Sequence, residues 1–296
     1  MSRHLKRHFE DNNSMLSGNP WVYGLRRICR NKAAMLGLGV FLFLCTACAV
    51  MPGLTHYDYF TPDFNASLLS PSREHLFGTN ALGRDMLSGI LYGGRTTLHI
   101  AFVSATIAMI AGCAIGLLSG YFGGLADILI SRLVDVLSSI PVILLVIVAE
   151  VVLGWGEGNF VYALAISATP QFARLIRAAV LNILGQEFIE AARALGASSM
   201  RIIRRHVLRN AAVPVVTHFA GCFSEAILTS TLLGYLGVGL NPPSPEWGVL
   251  VYSGKRFMIS NPHVILFPCI AVTVSVISLN FFVSGLRDAF DPGWDV

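Results

Sequence analysis

Charge is what this sequence has least of. Asp, Glu, Lys and Arg make up 13% of its 296 residues, where soluble domains carry about 25%. With 54% hydrophobic residues and a mean hydropathy of +0.64, the chain cannot cover itself with polar surface. A water-soluble protein with a very large core would spread its polar residues around each element. Here they cluster between apolar blocks, so lipid must cover those blocks.

Other absences remove whole classes of function. No G-x-x-x-x-G-K-[ST] loop occurs, so the chain does not cradle nucleotide phosphates in that way. None of the eight histidines is followed by glutamate, which excludes the H-E-x-x-H set of an intramembrane metalloprotease. The six cysteines (Cys29, Cys45, Cys48, Cys113, Cys222, Cys269) fall almost entirely in apolar stretches and read as small buried hydrophobes, not a disulfide framework. Cys45 and Cys48 spell C-x-x-C, but on a spanning stretch without a companion pair. No metal, no catalytic residue and no nucleic-acid partner is expected. The internal repeats and midplane breaks common in secondary transporters are not apparent, although that class stays as an alternative.

What is there is a series of long apolar runs. A membrane helix needs about 20 such residues, and six stretches qualify: 33–51, 98–119, 128–153, 160 to about 181, 211–233 and 264 to about 282. The fourth carries Gln171, Arg174 and Arg177 in its second half, so the helix is expected to continue there into the cytoplasm. The basic N-terminus precedes a first run without a small-residue cleavage signature and reads as a retained anchor.

Lysine and arginine set the orientation. The segments before the first run, between the fourth and fifth and after the sixth hold 15 of the 21, the opposite side holds five, and Arg132 lies inside the third run. The basic side is cytoplasmic, and six crossings put both termini on it. The expected fold is an all-α integral membrane protein of six helices. Residues 1–32 form a cytoplasmic tail and 33–296 the membrane domain, with extracytoplasmic segments 52–97 and 234–263 and a cytoplasmic loop 185–210.

That loop reads EFIEAARALGASSMRIIRRHVLRNAAVP. Helix formers run from Glu187 to Leu195, Gly196 stands where a left-handed cap is wanted, and Ser198 or Ser199 can cap a second helix to about Arg209. Arg201, Arg204 and Arg205 make that helix basic on one face. A basic loop can lie passively on anionic headgroups. Small residues at Glu190-Ala191-Ala192 beside an exposed turn also suit a close-fitting protein groove.

Ionisable residues at membrane depth face a bundle interior or a wet path. Arg132 and Asp135 share a helix face and are expected to neutralise each other, and Glu150 to be interfacial. Glu225 has no basic residue one turn away. With Ser224 and His218 it is a candidate for the translocation path, where it would favour an ammonium group, the alternative being hydrogen bonding to a neighbouring helix or subunit. Trp247, Tyr252 and Phe257 suit an interfacial run.

Glu190-Ala191-Ala192, three residues, Gly196 and then His206-Val207-Leu208 resemble the EAA loop of permease subunits of ATP-binding-cassette (ABC) importers, with Arg209 where that family usually has proline. Residues 76–98, with Gly78, Thr79, Gly83, Arg84, Asp85 and Ser88, resemble the GT-x-x-x-GRD-x-x-S block of the peptide and nickel branch. Residues 233–250, with Gly237, Gly239, Pro242, Pro243, Pro245, Trp247 and Gly248, resemble its proline-rich segment, and the GLRD-x-x-DP ending resembles its tail. The resemblance, to the C-type subunit of dipeptide or oligopeptide systems, covers most of the chain. It implies a type I importer domain in a bacterial inner membrane. It further implies a second homologous permease, two cytoplasmic ATPases that bind ATP and Mg, and an extracytoplasmic binding protein near the Arg84 segment. Read from the residues alone, Arg84 and Asp85 make a local ion pair or cap a short helix. Peptides, nickel and metal chelates all remain open as substrate.

Overall fold

The computed structural model describes residues 20–50, 53, 55, 57–240 and 244–290. Pro242, Pro243, residues 1–19 of the N-terminal tail and the final DPGWDV lie outside the described residues. The elements are helical: α1 Pro20–Arg30, α2 Lys32–Val50, α3 Met86–Phe122, α4 Gly124–Ser139, α5 Val142–Leu153, α6 Glu157–Leu184, α7 Glu187–Ala194, α8 Ser199–Ile202, α9 Leu208–Tyr235, α10 Trp247–Gly254 and α11 His263–Phe290.

Asn31 starts α2: its side-chain oxygen accepts from the amides of Ala33 (3.1 Å) and Ala34 (3.2 Å), serving donors that a helix start leaves orphaned. α3 begins at Met86, well before the apolar run does, so segment 52–97 is a loop only in its first part. At about 1.5 Å per residue, the 37 residues of α3 exceed the hydrocarbon thickness and project beyond it.

The expected third span is broken. α4 and α5 meet at 103° across Ile140–Pro141. Proline pushes the residue before it out of the helical region, and Ile140 is extended, at φ −87° and ψ 130°. Among the described residues, four helices are long and apolar enough to cross a membrane, or five if the bent pair counts as one span. α6 has the length, 28 residues, but Gln171, Arg174 and Arg177 shorten its apolar part. It runs unbroken past those arginines, as expected.

The bundle is closed by small residues. In lipid, helix association relies on close backbone approach and not on hydrophobic transfer. Gly112, Gly116 and Gly120 make a stripe on α3 where an added Cβ would run into Phe172, the carbonyl of Ala173 and Val180 of α6. On the other side, Gly37 of α2 meets the Ser278 carbonyl of α11, and Gly285 of α11 meets Ala34. Phe41 and Phe223 pack edge to face at 5.7 Å between α2 and α9.

Arg132 and Asp135 do not form the expected pair. Arg132 is exposed, and Asp135 takes Arg174 of α6 at 3.1 Å. One turn away Arg177 of α6 grips Asp127 of α4 with two hydrogen bonds, 2.6 and 2.7 Å, while Ser119 of α3 and Ser131 also donate to Asp127. These pairs tie the bent helix to α6. Glu150 is likewise not interfacial: it is fully buried on α5 beside a cluster of Ile100, Val146, Phe160 and Leu233.

Candidate coupling and translocation site

The loop 185–210 starts with α7. Its end is a left-handed cap: Gly196 has φ +82°, its amide donates to Arg193 O (2.9 Å), and the Ala197 amide donates to Ala192 O (3.0 Å). Of α7 only Ile189 is buried, against Ile176 and Val180 of α6 and Ile202, Val207 and Ala211 beyond the turn. Glu190, Ala191, Arg193 and Gly196 are exposed, Ala192 is half-buried and Leu195 is 89% exposed. An apolar side chain that bare, on a helix held by one anchor, marks a face without a partner inside this chain.

The second helix is not a separate element. α8 passes through a π-helical segment, Ile203–Val207, directly into α9, so residues Ser199–Tyr235 form one span of 37 residues. Arg201, Arg204 and Arg205 are exposed along its start. His206 stacks on Phe188 of α7 at 5.6 Å. α7 is therefore joined in two ways: through Ile189 and Gly185 to α6, and through the Gly196 turn to α9.

At membrane depth the structure separates the three candidate path residues. Glu225 is exposed and lines a notch with Ser104 of α3, Val142 of α5, Ser167 and Gln171 of α6, and Thr229. Ser224 is buried on another side of α9, its hydroxyl unpartnered. His218 meets the Phe172 ring edge-on at 4.6 Å and lines a different cavity, with Thr217, Arg287 and Phe290. The sequence pattern gave Thr229 as added polarity beside Glu225, but did not single out Gln171, Ser104 or Ser167 for this path. Their only signal was polarity inside an apolar run.

In segment 52–97 the matched motif residues build a self-bonded platform. Asp85 caps α3, accepting from Ser88 N at 2.8 Å, and its other oxygen pairs with His75 Nδ1 at 3.0 Å. The cap was expected; the Arg84–Asp85 pair was not formed, and the capped helix is long. Arg84 instead donates to Phe60 O at 3.3 Å and lies over the Tyr59 ring at 5.2 Å. Thr79 is fully buried and donates to Ala66 O. Gly78 and Gly83 take φ of +73° and +70°, and at Gly83 a side chain would collide with the Asp63 carbonyl.

Trp247 is fully buried and not interfacial, while Tyr252 of the same helix is 48% exposed. The Trp247 indole donates to Ile90 O (2.9 Å) and its amide to Thr97 Oγ1 (3.1 Å), and its ring lies against Gly94. Glu246, missed by the sequence reading, is the N-cap of α10: it accepts from Val249 N at 3.2 Å and is 1% exposed. Burial pushes its carboxyl up to about 7 against the opposing pull of the Gly248 and Val249 amides. These contacts hold α10 as a rigid bracket between α3 and α9.

Comparison with known proteins places these features in a group. Residues 112–296 match the model of the binding-protein-dependent transport system inner membrane component, and residues 19–71 match the N-terminal transmembrane domain of oligopeptide transport permease C. The dipeptide transport system permease protein DppC of Alkalihalophilus pseudofirmus is 38% identical over 274 residues, 93% of this chain and 90% of the relative. The glutathione transport system permease protein GsiD of Pectobacterium atrosepticum is 38% identical over 277 residues, 92% and 91%. Among solved structures, a chain of the MetNI methionine ABC transporter, inward facing, superposes with a TM-score of 0.56 at 25% identity, covering 69% of this chain and 96% of that one.

Proposed function

Because this chain belongs to the family of binding-protein-dependent transport system inner membrane components, a multi-pass inner-membrane permease and not an enzyme, we propose that it forms half of a peptide translocation path. Membership in an ABC importer family implies ATPase and substrate-binding partners. The finer assembly is our reading: a second homologous permease, two cytoplasmic ATPases that bind ATP and Mg, and an extracytoplasmic binding protein. Six crossings with both termini cytoplasmic belong to the same reading.

The observation that carries the coupling role is the loop. α7 presents Glu190, Ala191 and the bare Leu195 outward, while Ile189 ties it to α6 and the Gly196 turn leads without a break into α9. A partner that grips α7 moves two membrane helices at once. Arg201, Arg204 and Arg205 frame that contact. The Gly78 to Asp85 platform and the Trp247 bracket form the outer face toward the binding protein, in a structural role. The relatives named for a dipeptide and for glutathione, itself a short peptide, favour peptides over nickel or a metal chelate.

The test is to purify the tagged chain from its native membrane, identify co-purifying subunits, and reconstitute uptake. We expect a second permease, ATPases, and ATP-driven accumulation of a labelled dipeptide that a nickel chelate does not compete away. A single species driven by an ion gradient would overturn the assembly; competition by the chelate would overturn the substrate.

A further inference from the structure

The notch around Glu225 is small and chemically one-sided. Its volume is about 20 Å³, just above the roughly 10–15 Å³ that admits one water. It therefore holds a single head group and not a whole peptide. Ser104 donates its hydroxyl proton to Ala101 O (3.1 Å) and Ser167 to Leu164 O (2.7 Å). With those protons committed to backbone, both oxygens present lone pairs only. Glu225 adds a carboxylate and Gln171 a side-chain carbonyl. No lysine or arginine lines the notch, and the carboxylate has no ion-pair partner among the described residues.

The rest of the lining is apolar, with Ala105, Val142, Leu164, Ala168, Cys222 and Ala226, so the few acceptors gathered beside an unpaired carboxylate suit a small donor cation. A charge left unpaired there is costly, so it persists where a wet path or a partner charge meets it. Resting on the reading of this chain as a peptide permease, we propose that the notch of Ser104, Ser167, Gln171, Glu225 and Thr229 binds the primary ammonium of the peptide in transit. The carboxylate supplies the charge, and the serine oxygens and the Gln171 carbonyl share the ammonium hydrogens. The head group fits by size, and the remainder of the peptide lies outside the notch in the path. Release follows when α6 and α9 move with the cytoplasmic loop, since Gln171 stands on one and Glu225 and Thr229 on the other.

The test uses the assembled complex carrying Thr229→Cys as a reporter, labelled without the binding protein and assayed for uptake with the binding protein added. Labelling by a small thiol reagent is read at that residue by mass spectrometry, which distinguishes it from Cys222. A free-amino dipeptide at about ten times its dissociation constant is expected to slow labelling about tenfold. The N-acetylated dipeptide is expected to have no effect, and Glu225→Gln to abolish the protection. Equal protection by both peptides overturns the proposal, as does no protection while ATP-driven dipeptide uptake persists. A reporter closed to the reagent with or without peptide also overturns it, because a group of a partner subunit then fills the notch. A complex that hydrolyses ATP yet takes up no peptide defeats the substrate reading instead, and so the two failures are separable.

Discussion

At the scale of single residues, polar groups buried in this fold do specific work and should betray it on titration or replacement. Glu246 holds its proton more tightly when folded, its carboxyl raised from 4.5 to about 7 by burial. Between those values the folded chain retains a proton that the unfolded chain releases. The contribution of Glu246 to stability is therefore greatest below about pH 4.5, falls as pH rises through the window, and stays at the lower level above pH 7. Glu246→Gln keeps an oxygen for the Val249 amide and loses the titration, so its melting temperature should be nearly flat across the same window. A variant that melts with the wild-type pH profile would place the titration elsewhere. The Asp127–Arg177 pair is partly exposed, and Asp127→Asn should cost only about 1–2 kcal/mol, measured by thermal unfolding in detergent. Exchanging the two residues should recover part of that loss. Neither pair nor cap was legible in the sequence: Asp127 and Arg177 lie 50 positions apart, and local reading matched Asp135 with Arg132, its helical neighbour, because only the bend brings α6 within reach.

At the scale of elements, the outcome divides by what periodicity and length can see. Runs of about 20 apolar residues announced α2, α3, α9 and α11, since crossing lipid requires that length whatever the partners. The break at Ile140–Pro141 was hidden, because proline also sits inside α6, α9 and α11 (Pro170, Pro214, Pro268) without ending them. Whether a proline breaks a helix depends on whether neighbours satisfy the freed backbone, and one chain's sequence does not carry that. Trp247 was misplaced for a related reason. Tryptophan suits an interface until a pocket of glycines, here Gly93 and Gly94, admits its ring. Helix packing yields a paired prediction. Gly116→Leu should overpack the α3–α6 contact and lower stability by about 1–3 kcal/mol, because the Ala173 backbone lies where its side chain would go. Gly39→Ala meets nothing within 4 Å and should be neutral or gain up to about 1 kcal/mol. Both are read as shifts in melting temperature, and equal shifts would mean that α3 and α6 do not pack through that stripe.

At the scale of the whole molecule, the proposed coupling role makes the chain a set of levers with one handle. The outer bracket of Trp247 and the capped start of α3 are rigid, the small-residue seams fix α3 to α6 and α2 to α11, and the ion pairs carry the bent helix along with α6. The handle is α7, whose helix–glycine–helix pattern was legible from residue types. Its continuity with α9 was not certain until the π-helical segment showed no gap after Arg209. The site is legible where local chemistry defines it, at Gly196 and Glu225, and not where distant elements assemble it, at Gln171 and Ser104. The most direct test of this account is ATP-driven dipeptide uptake by the reconstituted complex carrying Gly196→Trp or Gly196→Asn. Space around the Gly196 Cβ is open within this chain and Asn tolerates its left-handed backbone, whereas Trp is strained there, so membrane insertion and melting temperature of both variants are measured beside uptake. The account predicts that Asn keeps most of the uptake while Trp, which fills the face that a partner must grip, abolishes it. Uptake by the Trp variant at the wild-type rate would contradict the coupling role of this loop.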